Sequence, residues 1–226
     1  MINWQDDTDI FGRLQLLTNS ALLKNIRNTI NQHNIDLSDC LSWGQLKSKQ
    51  WLIDHLPNNL GTVFICSGWY ATLAGMMFEQ NPQNFNKIRS FDIDPTCAKI
   101  AESINRTYVI DSWKFKASTM DILNMQYPTV FQTERADNST LELTEMPDTI
   151  INTSCEHIEN LNQWYDKIPK NILIVLQSNN YFSLPEHVNC VESLEEFNTQ
   201  TPMSTVLYEG ELDLGKYKRF MRIGYK

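Results

Sequence analysis

Residues 62–65, Thr-Val-Phe-Ile, form an apolar, β-branched run that meets a small-residue turn at Ser67-Gly68. An apolar helical pattern follows at Leu73, Met76 and Met77. That order predicts a strand, a tight turn and a helix. A second apolar run at residues 88–93 carries two carboxylates toward its end, Asp92 and Asp94. Asp92 falls about 20–25 residues beyond the turn, where the second parallel strand of a βαβ unit places an acid against a ribose. These residues together propose a crevice for a nucleoside.

The same stretch resembles motif I and the following acidic strand of the class I S-adenosylmethionine-dependent methyltransferases. Members of that family usually carry two or three glycines in the turn, written loosely Gly-x-Gly-x-Gly. Here Ser67-Gly68-Trp69-Tyr70-Ala71 supplies one glycine and two aromatics. A sulfonium nucleoside has no pyrophosphate to cradle, so it asks less of the turn than a dinucleotide does. The resemblance covers about residues 61–226. It implies an α/β fold, a Rossmann-like three-layer sandwich. The sheet would be mostly parallel and seven-stranded, with a C-terminal antiparallel strand pair and added N-terminal helices. It also implies S-adenosylmethionine as cofactor. Ser67, Gly68, Trp69, Tyr70, Asp92, Ile93, Met120, Asp121 and Asn152 would surround it, with Asp92 on the ribose hydroxyls and Asp121 near the adenine amino group.

A chain of 226 residues that is 42% hydrophobic suffices for one α/β core. We read residues 1–60 as a helical cap and residues 61–226 as the cofactor-binding, catalytic domain. Nineteen basic residues against 27 acidic ones give a net charge of −8. With no Lys/Arg block to offset that charge, extended phosphate-backbone binding is disfavoured and a small-molecule acceptor is expected. The five cysteines are scattered and never form a Cys-x-x-Cys pair, which argues against a disulfide framework or a structural zinc. The start, Met-Ile-Asn-Trp-Gln-Asp-Asp, has neither the basic head nor the apolar core of a signal peptide, and no run approaches a membrane span. The expectation is a soluble, cytoplasmic protein with no membrane association.

From Ser20, the residues Leu22, Leu23, Ile26 and Ile30 recur at helical spacing. Ser42-Trp-Gly-Gln45 matches a capping box ahead of a second helix that Pro57 stops. Trp43, Gln45, Lys47 and Lys49 lie near its start, and Trp43 and Lys49 are expected to face an acceptor. Asp94-Pro95 opens a helix carrying Cys97, Ala98, Ala101 and Ile104. Residues 113–117 alternate as a third strand, and residues 126–146 read as an irregular or hairpin-like excursion at the crevice side. Residues 148–151 and 172–176 make the fourth and fifth strands, the latter apolar throughout and so buried on both faces. Two extended runs, 205–214 and 217–225, finish the chain as an antiparallel pair.

Methyl transfer from a sulfonium is an in-line displacement that asks the protein mostly to position its reactants, with a base where the acceptor carries a proton. His157, just past the fourth strand, is the expected base, with Glu156 beside it. Asn179, Tyr181 and His187 are expected on the acceptor. No His-x-x-x-His pair or carboxylate cluster with ligand spacing appears, so no metal is expected, and a catechol-type magnesium site would have to come from distant residues. Two other functions fit the same residues. One is an aminoalkyl-transferring synthase of the polyamine or nicotianamine type; the other is a non-catalytic methyltransferase-like binding subunit.

Overall fold

A computed structural model describes Leu14 and residues 18–226. The N-terminal helices come first. Helix α1 (Ala21–His33) starts where Ser20 Oγ accepts from Leu23 N–H, and α2 (Trp43–His55) follows. Ser42 makes no side-chain cap, so the expected capping box does not form; the Gln45 carbonyl instead accepts from Lys49 Nζ at 2.6 Å. A glutamine that points along its helix to a buried amine is not free to reach back to the Ncap residue.

The central sheet is built from β1 (Thr62–Cys66), β2 (Lys87–Asp92), β3 (Phe115–Thr119), β6 (Thr149–Asn152), β7 (Leu173–Asn179), β8 (Thr205–Asp213) and β9 (Lys218–Tyr225). Its order is β3-β2-β1-β6-β7-β9-β8, parallel from β3 to β7 and antiparallel at β9 and β8. This is the expected three-layer, seven-stranded arrangement with a C-terminal antiparallel pair. Helices α3 (Thr72–Gln80), α4 (Cys97–Ile104), α5 (Arg106–Ile110), α6 (Leu161–Tyr165) and α7 (Leu194–Gln200) fill the crossovers.

Strand period sorts the core into two layers. On β1, Val63 and Ile65 face a cluster with Leu73, Met77, Leu52 and Val175, while Phe64 and Cys66 face Phe91, Trp164, Ile174 and Phe220. All five β1 residues are buried, as expected of a central parallel strand covered on both faces.

Between β3 and β6 the chain forms a hairpin, β4 (Thr129–Glu134) and β5 (Thr140–Glu145), in place of a crossover helix. Phe131 packs edge-on against Phe64 and Phe91. Arg89 reaches Glu145 at 3.0 Å, and the buried Lys116 donates to the Glu134 carbonyl at 2.6 Å. The excursion at 126–146 is therefore a hairpin, but it covers a sheet face; none of its residues reaches the crevice expected of it. The alternating pattern at β4, buried then exposed, is what that placement requires.

Helix α1 packs on α4 and α3, whereas α2 lies against the sheet with Leu52 and Ile53 in its core and its first turns at the mouth of a cavity. Ser48 Oγ donates to the buried Gln177 Oε1 at 2.9 Å and joins α2 to β7. Leu22 approaches α3 so closely that a Cβ on Gly75 would meet its Cδ1 at 2.5 Å. No helix among the described residues is long and apolar enough to cross a membrane.

Candidate functional site

β1 leaves the sheet through a turn in which Ser67 (φ 54°), Trp69 (φ 48°) and Ala71 (φ 51°) are left-handed. These are alternate positions with the spacing of Gly-x-Gly-x-Gly. Ser, Trp and Ala thus keep a backbone path that glycine normally serves, at roughly 1–2 kcal/mol each. Strain of this kind persists where neighbouring contacts over-determine it, and it concentrates at ligand sites. Here the contacts are backbone hydrogen bonds: Gly68 N–H to Phe91 O at 2.9 Å, Ala71 N–H to Gly68 O at 2.8 Å, and Trp69 N–H to Asp92 Oδ2 at 2.7 Å.

The one glycine retained is fixed by contact rather than by φ. A Cβ on Gly68 would sit 2.2 Å from Ser90 Oγ and 3.2 Å from Ile65 Cγ2. Gly68→Ala is expected to cost about 1–3 kcal/mol by overpacking. Chemical denaturation should show that Ser90→Ala, in the same chain, recovers part of the loss; no recovery would locate the strain elsewhere.

This turn forms one wall of a cavity of about 800 Å³ along the carboxyl ends of the parallel strands. Ile65, Ser67, Gly68 and Trp69 come from β1 and its turn, Asp92 and Ile93 from the end of β2, and Met120 and Asp121 from the end of β3. Thr153, Ser154, Glu156 and His157 follow β6; Leu184, Glu186 and His187 follow β7; Asp39, Ser42, Gln45 and Lys49 close the mouth from α2 and the loop before it. The volume lies within the ~300–1,000 Å³ of small-molecule sites.

Asp92 uses one lone pair of each oxygen on backbone, Oδ2 on Trp69 N–H and Oδ1 on Asp94 N–H at 3.1 Å. A carboxylate accepts about four hydrogen bonds, so two positions remain for a diol. Asp94, by contrast, is engaged locally: its Oδ1 accepts from both Thr96 N–H and Thr96 Oγ, which holds its carboxyl below the usual range. Asp121 caps the single helical turn at residues 122–124, accepting from Leu123 N–H and from Asn124 Nδ2, both at 2.9 Å.

The opposite end of the cavity is built on a buried ion pair. Arg219, the second residue of β9, pairs in register with Asn179 at the end of β7, because an antiparallel strand brings its start to the edge where its parallel neighbours finish. Its guanidinium donates to Glu156 Oε1 at 3.1 Å and to Thr153 O at 2.7 Å. Asn179 Nδ2 donates to the same Oε1 at 2.7 Å. Glu156 Oε2 is buried and has no partner.

Above this pair lies Lys49, also buried. Desolvation, with the positive charge of Arg219 behind it, pushes its ammonium down to about 7, against smaller upward pulls from Cys40 and Glu156. His157 and His187 meet edge to face with ring centroids 4.6 Å apart. Ligand atoms of Glu156, His157 and His187 all lie within 4.8 Å of one another.

Of the residues singled out from sequence, Ser67, Gly68, Trp69, Asp92, Ile93, Met120, Asp121, Lys49, Glu156, His157 and His187 line this cavity. The others lie behind or beside it. Tyr70 stacks on Trp69 and packs toward the α1–α4 cluster. Asn152 is fully buried, its Oδ1 accepting from Ser154 N–H. Asn179 supports Glu156, and Tyr181 stacks on Tyr217 with Lys216 over its ring. Trp43 is 72% exposed beneath Lys47. It lies two positions before Gln45, about 200° of helical rotation, so the face that turns Gln45 and Lys49 inward turns Trp43 out. Sequence reading missed Arg219, for which a basic residue inside an apolar strand was the available signal.

No protein-family model matches the chain, and no curated protein matches it in sequence. Solved structures do match. N-methyltransferase NodS from Bradyrhizobium japonicum WM9, in complex with S-adenosyl-L-homocysteine, superposes with a TM-score of 0.57 at 11% identity over 89% of this chain and 98% of that one. The YcgJ protein from Bacillus subtilis gives 0.55 at 9% identity, over 80% and 98% respectively. A geranyl diphosphate methyltransferase bound to GPP and sinefungin gives 0.52 at 10% identity, over 80% and 77%. At these identities the likeness is one of fold alone, a Rossmann-like fold that this chain shares with the solved methyltransferase structures.

Proposed function

We propose that the chain binds S-adenosylmethionine and transfers its methyl group to a small polar acceptor. The observation that carries this reading is the turn after β1. It keeps left-handed backbone at residues 67, 69 and 71 without glycine, and it is tied by Trp69 N–H to the carboxylate of Asp92, which still has two acceptor positions facing an 800 Å³ cavity. When bound, the cofactor supplies an activated methyl group on a sulfonium and departs as a neutral thioether. The residues at its end of the cavity fit it: Asp92 accepts from the ribose hydroxyls, Met120 and Ile93 flank the base, and Asp121 accepts from the adenine amino group. Trp69 offers an aromatic face to the sulfonium, worth about 0.5–2 kcal/mol.

The chain's own chemistry lies at the other end. Lys49 is a buried amine that titrates near neutrality, so it has an unprotonated fraction ready to accept a proton at the pH where it works. We assign it the role of base. Glu156, fixed by Arg219 and Asn179, and the two histidines hold the acceptor beneath α2.

Asp92→Ala removes charge-assisted hydrogen bonds worth about 1.5–3 kcal/mol each, so affinity for S-adenosylmethionine is expected to fall at least about tenfold. Calorimetric titration of the folded variant checks this. Unchanged affinity would remove Asp92 from the site and overturn the reading.

A further inference from the structure

We propose that Glu156, His157 and His187 form a binding site for a divalent first-row transition ion such as Zn²⁺, open toward the cavity. Three observations carry it. The ligand atoms of the three residues lie within 4.8 Å of one another, and each residue lines the cavity. Ligands held about 2.0–2.2 Å from one tetrahedral ion lie about 3.3–3.6 Å from each other, so this cluster is within a modest side-chain adjustment of a three-ligand site.

Both histidines are already held as metal ligands are. His157 Nδ1 lies 3.0 Å from Glu186 O, and His187 Nδ1 lies 2.7 Å from Tyr181 O. A carbonyl oxygen only accepts, so each Nδ1 carries the hydrogen, and each neutral ring keeps its Nε2 lone pair. Such backbone carbonyls behind a ligating histidine fix its tautomer and orientation.

The third observation is the orphan oxygen. Glu156 is 2% exposed and spends Oε1 on Asn179 and Arg219, yet Oε2 has no partner. A buried carboxylate oxygen without a hydrogen bond is destabilising, and a cation bound to it removes that cost.

The donor set selects the ion. Two imidazoles and one carboxylate suit Zn²⁺, Co²⁺ or Fe²⁺, whereas Mg²⁺ and Ca²⁺ take oxygen ligands. Arg219 on Glu156 and Lys49 close by both oppose a cation that depends on net negative charge, which leaves ions whose affinity comes from nitrogen. Three protein ligands leave at least one position facing the cavity, where an acceptor oxygen or nitrogen would sit. That last step rests on the methyl-transfer reading; the ion site itself does not.

The test uses the full chain stripped of metal and titrated with Co²⁺, followed by visible absorption and then by Zn²⁺ competition, with no cofactor present. One equivalent is expected to bind with d–d bands that Zn²⁺ abolishes. His157→Ala and His187→Ala should each weaken binding by about 10–100-fold or more. His157 is exposed, so its variant tests the site without disturbing the core. Cys190 has its Sγ 3.7 Å from His187 Nδ1 and is the alternative local ligand, so Cys190→Ser should leave the Co²⁺ spectrum and affinity unchanged. No saturable binding to the wild type, equal binding to His157→Ala, or loss of the bands in Cys190→Ser would each overturn the proposal. Failure of S-adenosylmethionine to bind would leave it standing.

Discussion

Arg219→Met is expected to destabilise the chain by about 3–5 kcal/mol, the cost of leaving one member of a buried ion pair without the other. Arg219 is 3% exposed and Glu156 2%, and the guanidinium also holds the Thr153 carbonyl. Without it, the Glu156 carboxylate keeps only the Asn179 amide. Glu156→Gln in the same chain removes the stranded charge, so the double variant should recover much of the loss. Urea unfolding of the four proteins in the cycle measures the coupling, expected above about 2 kcal/mol; additive effects would mean that the pair is held by packing alone. The pair also anchors the loop after β6, so binding at the acceptor end should fail in Arg219→Met under conditions where the fold survives.

Lys49→Met is expected to act in the opposite direction on stability. Below about pH 7 the amine is charged in both the folded and unfolded chain, and burial carries its full desolvation cost. Between about 7 and the unfolded value near 10.5 the unfolded chain holds a proton that the folded chain has released, so wild-type stability rises with pH across that window. The difference is of order 3–5 kcal/mol, offset in part by the hydrogen bond to Gln45. Lys49→Met should therefore be more stable than wild type by about 2–4 kcal/mol at pH 6, and that advantage should shrink to near nothing by about pH 10.5. Arg219 sharpens the effect by repulsion, while Cys40 and Glu156 soften it. Thermal melts at several pH values check the sign. Turnover should fall by about 10²–10⁴ in the same variant, the worth of a positioned base. A gain in stability without loss of turnover would leave Lys49 as a buried cost with no role in the reaction.

The fold was legible because parallel strands are buried on both faces and must read as short apolar runs. β1, β2, β6 and β7 each begin within one residue of the run that marks them, and the turn residues around Asn59, Gly61 and Gly215 take positive φ as their types allow. β3 begins at Phe115 rather than at Trp113, which takes a left-handed φ of 55° beside Ser112 and so ends the turn instead of starting the strand. The hairpin at β4 and β5 was legible as an excursion but not in its place. Its docking depends on Arg89 and Lys116, basic residues in the sheet that reach Glu145 and the Glu134 carbonyl across many residues of sequence.

The residues that line the cavity at the ends of β1, β2 and β3 were legible for the same reason as the strands: each strand end delivers its residues at a fixed edge. At the opposite end of the cavity Lys49, Glu156, His157 and His187 were legible, but Arg219 and its pairing with Glu156 were not, because Arg219 arrives on an antiparallel strand. Glu156 reads as a helix-start acid until Arg219 is brought to it by the β7–β9 register. His187 sits in a loop whose path no periodicity announces. Asn152 and Asn179, placed by the sequence at the strand ends, turn inward instead: Asn152 Oδ1 accepts from Ser154 N–H, and Asn179 Nδ2 donates to Glu156.

The most direct measurement of the central claim is a crystal structure of the chain grown with S-adenosyl-L-homocysteine. The account predicts the ribose hydroxyls on Asp92, the amino-acid portion along Ser67, Gly68 and Trp69, and the sulfur directed toward Lys49 and Glu156. A nucleoside bound elsewhere, or a saturated crystal in which Asp92 and the turn at residues 67–71 hold nothing, would contradict it.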